Sequence, residues 1–200
     1  MEGGQSVIPA TPHDTEDSHD WALIRRIGMG DQPAFEQLYQ RYYDYLFRFI
    51  YQTTRRLDLV EEVINDVMFV VWRKAAEAEP RALAATWILS IAYNKARKSL
   101  AKERVTVHAG IDDEDPMFTD HGVMVETLEI ENLLFVALKS LPPDHRAALE
   151  LVYYHGLHYS QIAEVMGCPE NTVKTRVFHA RKKLRAIWPR LTGGKSPGEN

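Results

Sequence analysis

The chain has 200 residues, 45% apolar and 26% charged, enough to bury a core and too apolar to be disordered throughout. A single cysteine, Cys168, excludes an internal disulfide framework, and no apolar run exceeds six residues, where a membrane span needs about 20. The first twenty residues lack the basic and apolar regions of a secretory signal, so a soluble cytoplasmic protein without membrane insertion is expected. The net charge of −4 is unevenly laid out: residues 21–104 and 132–200 carry net +4 and +5, and residues 105–131 carry eight carboxylates and no Lys or Arg.

In chain order, residues 1–20 hold five acidic side chains and no Lys or Arg and are expected to be a disordered N-terminus. Asp31 has the character of an N-cap with Pro33 in the first turn. Phe35, Leu38, Tyr42, Leu46 and Phe49 then recur at helical spacing to about Thr53. Asp58 and Glu61 have the form of a capping box opening a second helix, with an inward stripe of Val60, Val63, Ile64, Val67 and Val71. An Ala-rich loop with Glu79, Pro80 and Arg81 breaks the pattern. A third helix is predicted from about Thr86 to Arg104, packing Ile88, Ile91 and Ala92.

No period survives over 105–127, which reads as an acidic flexible linker. Helices resume at 128–141, at Asp144 to about His155, and at Gln161–Met166, where Ser160 is a candidate cap. The last helix opens at Pro169 and continues to about Trp188, and residues 191–200 read as a disordered tail. No strand candidate emerges. The expected fold is all-α, with two small helical domains, 21–104 and 128–190, joined by the linker.

Residues 159–185, YSQIAEVMGCPENTVKTRVFHARKKLR, carry the strongest local signal. A helix-turn-helix needs a small residue in its first helix, a turn residue tolerant of positive φ, and a branched apolar residue on the second helix facing back. Ala163, Gly167 and Val173 fill these places. At ~100° per residue, Val173, Val177, Ala180 and Leu184 form one apolar stripe. Asn171, Thr172, Thr175, Arg176, His179, Lys182 and Lys183 fall opposite, flanked by Lys174, Arg181 and Arg185. From Lys174 to Arg185 there is no acidic residue. A core side and a side of donors and cations is the layout of a helix that reads a major groove.

The block ALKSLPPDHRAALELVYYHGLHYSQIAEVMG through NTVKTRVFHARKKLR resembles region 4 of the sigma-70 family. GDQPAFEQLYQRYYDYLFRF, DLVEEVINDVMFVVW and TWILSIAYNKARKSL resemble region 2 of the same family, in the right order. With only these two regions and a linker, the chain resembles an extracytoplasmic-function (ECF) sigma factor over residues 21 to 190. The resemblance implies a partner in core RNA polymerase, through its β′ clamp helices and β flap, a second in promoter DNA, and a third in an anti-sigma factor. It implies that Glu62, Asn65, Asp66, Phe69 and Trp72 meet polymerase. It also implies that Trp87, Asn94, Lys95, Arg97 and Lys98 read and open the −10 element. By the same resemblance, Asn171, Thr172, Lys174, Thr175, Arg176, His179, Arg181 and Lys182 read the −35 element, and a flipped −10 base meets the loop 75–85, which here lacks an aromatic residue. The linker would thread the polymerase cleft.

His155, His158, Cys168 and His179 match no common zinc spacing, and Cys168 suits a structural place in the turn. No phosphate-cradling loop or nucleophile–base pairing stands out, so neither an enzyme nor a cofactor is expected. A helix-turn-helix regulator binding an operator on its own is the alternative reading.

Overall fold

The computed structural model describes residues 13–106 and 133–191. Among these there is no strand. Eight helices run in the order α1 (His13–Gly28), α2 (Gln32–Thr54), α3 (Val60–Lys74), α4 (Ala84–Thr106), α5 (133–139), α6 (Pro143–Tyr153), α7 (Tyr159–Met166) and α8 (Glu170–Leu191). Single 3-10 turns at Leu57–Leu59 and Ala75–Glu77 join α2 to α3 and follow α3. The linker 105–127 and the tail 191–200 fall almost wholly outside the described residues, as does the start of the helix expected at 128.

Asp31 caps α2 as its sequence suggests: its Oδ1 accepts the Ala34 N–H at 3.1 Å, and the Arg26 side chain holds the other oxygen. The α2 stripe Leu38, Tyr42, Leu46 and Phe49 is buried, and so is the α3 stripe Val60, Val63, Ile64, Val67 and Val71. Along α4, Ile88 and Ala92 are buried and Ile91 half-buried. α1 to α4 thus close one bundle, and α6 to α8 pack on one another as a second.

Several local expectations change. The sequence reads as disordered to residue 20, but α1 begins at His13. Its acidic residues are used: Asp20 accepts from the Tyr42 hydroxyl and pairs with Arg41, and Asp17 accepts the Ala84 N–H at 2.6 Å, capping α4 from another helix. No capping box forms at Asp58, because Arg56 takes its carboxylate in a two-pronged pair and the chain makes a 3-10 turn there. Ser160 does not cap α7. His158 precedes the helix, and its N–H donates to the Gln161 side chain at 2.8 Å. Pro169 lies just ahead of α8, with its carbonyl accepting from Thr172 N–H.

The larger surprise is tertiary. α2 packs on α6 and α4 packs on α7, so one buried cluster runs through both bundles. Arg146, only 7% exposed, donates from α6 to the Gln52 and Thr53 carbonyls at the end of α2 and to Leu141. His155, 2% exposed, lies edge-on to Tyr45 at 4.0 Å between centroids and near Phe49.

Candidate nucleic-acid interface and docking face

The geometry of 159–185 follows from its residue types. Ile162, Val165 and Met166 bury one face of α7, and Gly167 turns the chain at φ +58°, where a side chain would be strained. Cys168 N–H closes the turn onto the Ala163 carbonyl at 3.1 Å. α8 then leaves with Val173, Val177 and Ala180 buried against α7 and α6 and Leu184 half-buried. The opposite face carries Asn171, Lys174, Thr175, His179, Arg181 and Lys182, all exposed. Thr172 and Arg176 are half-buried. Arg176 does not reach freely into solvent: its Nη2 donates to Asp144 at 2.8 Å and its Nη1 lies 3.5 Å from the Cys168 sulfur.

On α4, Asn94, Arg97 and Lys98 are exposed, while Lys95 donates to Asp66 of α3 at 2.9 Å. Arg97 lies 3.6 Å from the Asp144 carboxylate. Trp87 is half-buried, stacked on Trp21 at 6.0 Å with 28° between rings, and Trp21 is fixed by its indole N–H on the Ala82 carbonyl. The end of the Ala-rich stretch that leads into α4 is therefore held at two points, by Trp21 at Ala82 and by Asp17 at Ala84.

The third group lies on α3. Glu62, Asn65 and Asp66 are exposed beside the complete apolar stripe. Phe69 is 58% exposed and Trp72 is 37% exposed. Neither is core. Trp72 leans edge-on against Phe35 at 5.2 Å, the Arg73 guanidinium lies 5.8 Å from the Phe69 ring, and Tyr39 donates to Asn65. Two large aromatic rings held in place on an acidic face are what a protein-docking helix presents.

Three sets of residues predicted from sequence thus lie on three helices, two of them basic and one acidic and aromatic. Sequence reasoning missed a further cluster between the bundles: Arg48, Tyr93, Asp144, Arg146 and Glu150. Burial and the bond to Asp144 push the Tyr93 phenol up to about 12. Burial also raises the Glu150 carboxyl, against the pull of Arg48, and brings Arg146 down to about 10, aided by nearby Arg55. Among the described residues, no group of His, Cys, Asp or Glu is placed to hold a metal, and no helix is long and apolar enough to cross a membrane.

Comparison with known proteins identifies the family of both halves of the chain. Residues 38–106 match the family described as Sigma-70 region 2, and residues 132–184 match Sigma-70, region 4. The chain is 32% identical over 178 residues to the ECF RNA polymerase sigma factor RpoE of Cereibacter sphaeroides, covering 86% of this chain and 97% of that one. It is 30% identical over 176 residues to the ECF RNA polymerase sigma-E factor of Haemophilus influenzae, covering 82% and 93%. The chain belongs to the ECF sigma factors of the sigma-70 family. Sigma factors direct promoter-specific transcription initiation, and that is its function. Two solved structures share the fold at 22% identity. CnrH in complex with the cytosolic domain of CnrY has a TM-score of 0.63 and covers 86% of this chain and 97% of that one. The sigma factor RpoE in complex with the anti-sigma factor NepR, from Bartonella quintana, has a TM-score of 0.61 and covers 77% and 96%.

Proposed function

We propose that this sigma factor divides its work among the three helices described above. α8 enters the major groove of the −35 element, with Arg176, Asn171 and His179 toward base edges. Lys174, Arg181, Lys182, Thr172 and Thr175 hold phosphates and register. α4 takes the −10 element, with Lys95, Arg97 and Lys98 on phosphates, Asn94 donating to and accepting from a base edge, and Trp87 beside the opened strand. Glu62, Asn65, Asp66, Phe69 and Trp72 of α3 dock on the clamp helices of polymerase β′. The chain supplies no catalysis of its own and acts where RNA polymerase acts, in the cytoplasm. An anti-sigma factor is its proposed inhibitor.

The observation that carries this reading is the division of α8 into a buried stripe and an opposite face of donors and cations, with Glu170 of the first turn paired to Lys174 at 2.8 Å. Each domain offers a small basic surface, so tight promoter binding requires polymerase to hold both at once. Run-off transcription with core polymerase on a genomic promoter library tests the reading. Discrete start sites dependent on this chain support it. A chain that binds polymerase and yields no promoter-specific transcript contradicts it.

A further inference from the structure

α1 meets the segment ahead of α4 at three points along one of its faces. Asp17, Trp21 and Gly28 stand at i, i+4 and i+11, within about 40° of one another around the helix. Gly28 lies flush against main chain, where a Cβ would come within 2.8 Å of the Ala76 Cα. The Trp21 indole N–H donates to the Ala82 carbonyl at 3.1 Å, and Asp17 accepts the Ala84 N–H at 2.6 Å. The same indole stacks on Trp87, whose own backbone N–H donates to the Leu83 carbonyl at 3.1 Å. One buried ring therefore joins the end of the loop to the first turn of α4.

The loop between these points has little with which to hold itself. Four of residues 75–83 are Ala, and Glu79, Pro80 and Arg81 are exposed. The Arg81–Glu79 pair at 2.6 Å lies in solvent, where such pairs contribute little. No residue of the loop is aromatic, so none can stack on a base. Trp87, half-buried, is the ring beside it, and Trp21, only 5% exposed, backs that ring from within. A base turned out of a duplex needs a stacking surface and walls already in place, because ordering a free loop at the moment of binding subtracts from affinity.

We propose that α1 is the splint of the −10 site: Asp17 and Trp21 are positioning residues that hold the loop 75–83 and the Trp87 ring where a base leaving the duplex is captured. Trp21 is too buried to touch DNA and acts through the Ala82 carbonyl and the Trp87 ring. Asp17 acts through the first turn of α4. The inference deepens the assignment of α4 and this loop to the −10 element and rests on it.

The test uses holoenzyme assembled from core polymerase and the full chain. Its probe is a labelled fork DNA from a promoter the holoenzyme transcribes, duplex through the −35 element and single-stranded over the −10 element. An abasic site placed at each −10 position in turn isolates what the base contributes, because folding, polymerase docking and −35 binding weigh equally on intact and abasic forks. Wild type is expected to lose about tenfold in affinity at one position, the worth of one stacked base. Asp17→Ala removes the acceptor at Ala84, and Trp21→Phe removes the N–H while keeping a buried ring; neither residue is assigned to DNA or polymerase. The double variant is expected to bind the abasic fork as wild type does and to lose most of the tenfold preference for the intact one. Asp17→Asn, which keeps an acceptor, should keep the preference. A double variant with the full preference, or one weakened equally on both forks, overturns the proposal. Should the double variant lose helix by circular dichroism or fail to bind polymerase, Asp17→Ala alone is read by the same outcomes. A wild type indifferent to every abasic site removes the −10 assignment itself, and the inference with it.

Discussion

The Arg146 guanidinium donates a 2.8 Å hydrogen bond to the Thr53 carbonyl, joining residues 93 positions apart at the last turn of α2. The fork of an arginine suits this place: Nε serves Gln52, Nη2 serves Thr53 and Nη1 serves Leu141, and the cation sits at the negative end of a helix. An ammonium has the charge and lacks that geometry. Arg146→Lys should therefore lower stability by about 2 kcal/mol in urea unfolding. A change within about 0.5 kcal/mol would place the bridge among surface pairs of little consequence.

Gly28 ends α1 against the 3-10 turn after α3. A Cβ there would meet Ala76 Cα at 2.8 Å and Ala76 N at 2.9 Å, both main-chain atoms that cannot swing aside. Gly28→Ala should cost about 1–3 kcal/mol by overpacking. Thermal unfolding checks this; an unchanged midpoint would mean that the turn yields without strain.

Phe69 separates docking from folding. Its ring is exposed, so Phe69→Ala should leave stability within about 0.5 kcal/mol of wild type. As an aromatic anchor it should carry about 2 kcal/mol of polymerase affinity, a loss of roughly 30-fold in a direct binding titration. Equal affinity for both proteins would remove α3 from the docking surface.

Arg176→Ala should reduce transcription from −35-dependent promoters about tenfold, the worth of one good base contact, and leave polymerase binding intact. Parallel loss of polymerase binding would count against its assignment to DNA.

Burial raises Glu150 above its ordinary value of 4.5, outweighing the favourable Arg48 charge. A carboxyl whose folded pKa is raised holds its proton better in the native state. Its contribution to stability is thus full below the unfolded pKa and is lost as pH rises through the folded value. Glu150→Gln carries no such charge, so stability relative to wild type should improve steadily from below pH 4.5 upward. Denaturant unfolding across that range checks the sign, and the opposite slope would show that the Arg48 pair outweighs desolvation.

Helix positions, the turn at Gly167 and the buried stripes of α2, α3 and α8 were legible because they rest on local spacing, which the sequence displays directly. So was the placement of the three candidate sets on α3, α4 and α8, whose roles are proposed. Caps were less legible, since Asp58 could serve its helix or Arg56, and the nearer guanidinium won. The contacts between the two bundles were not legible at all. Arg48, Asp144 and Glu150 look like ordinary solvated positions, and nothing in periodicity names a partner 51 or 102 residues away. Asp17 and Asp20 likewise read as part of an acidic tail until α1 is seen packed on α2 and against α4.

The most direct measurement is gel filtration of the purified chain with bacterial core RNA polymerase at moderate salt, with a housekeeping sigma factor as competitor. Co-elution at one-to-one, displaced by the competitor, is the expected result. A folded chain, free of any copurified inhibitor, that elutes apart from polymerase would contradict it and favour a helix-turn-helix regulator acting on its own operator.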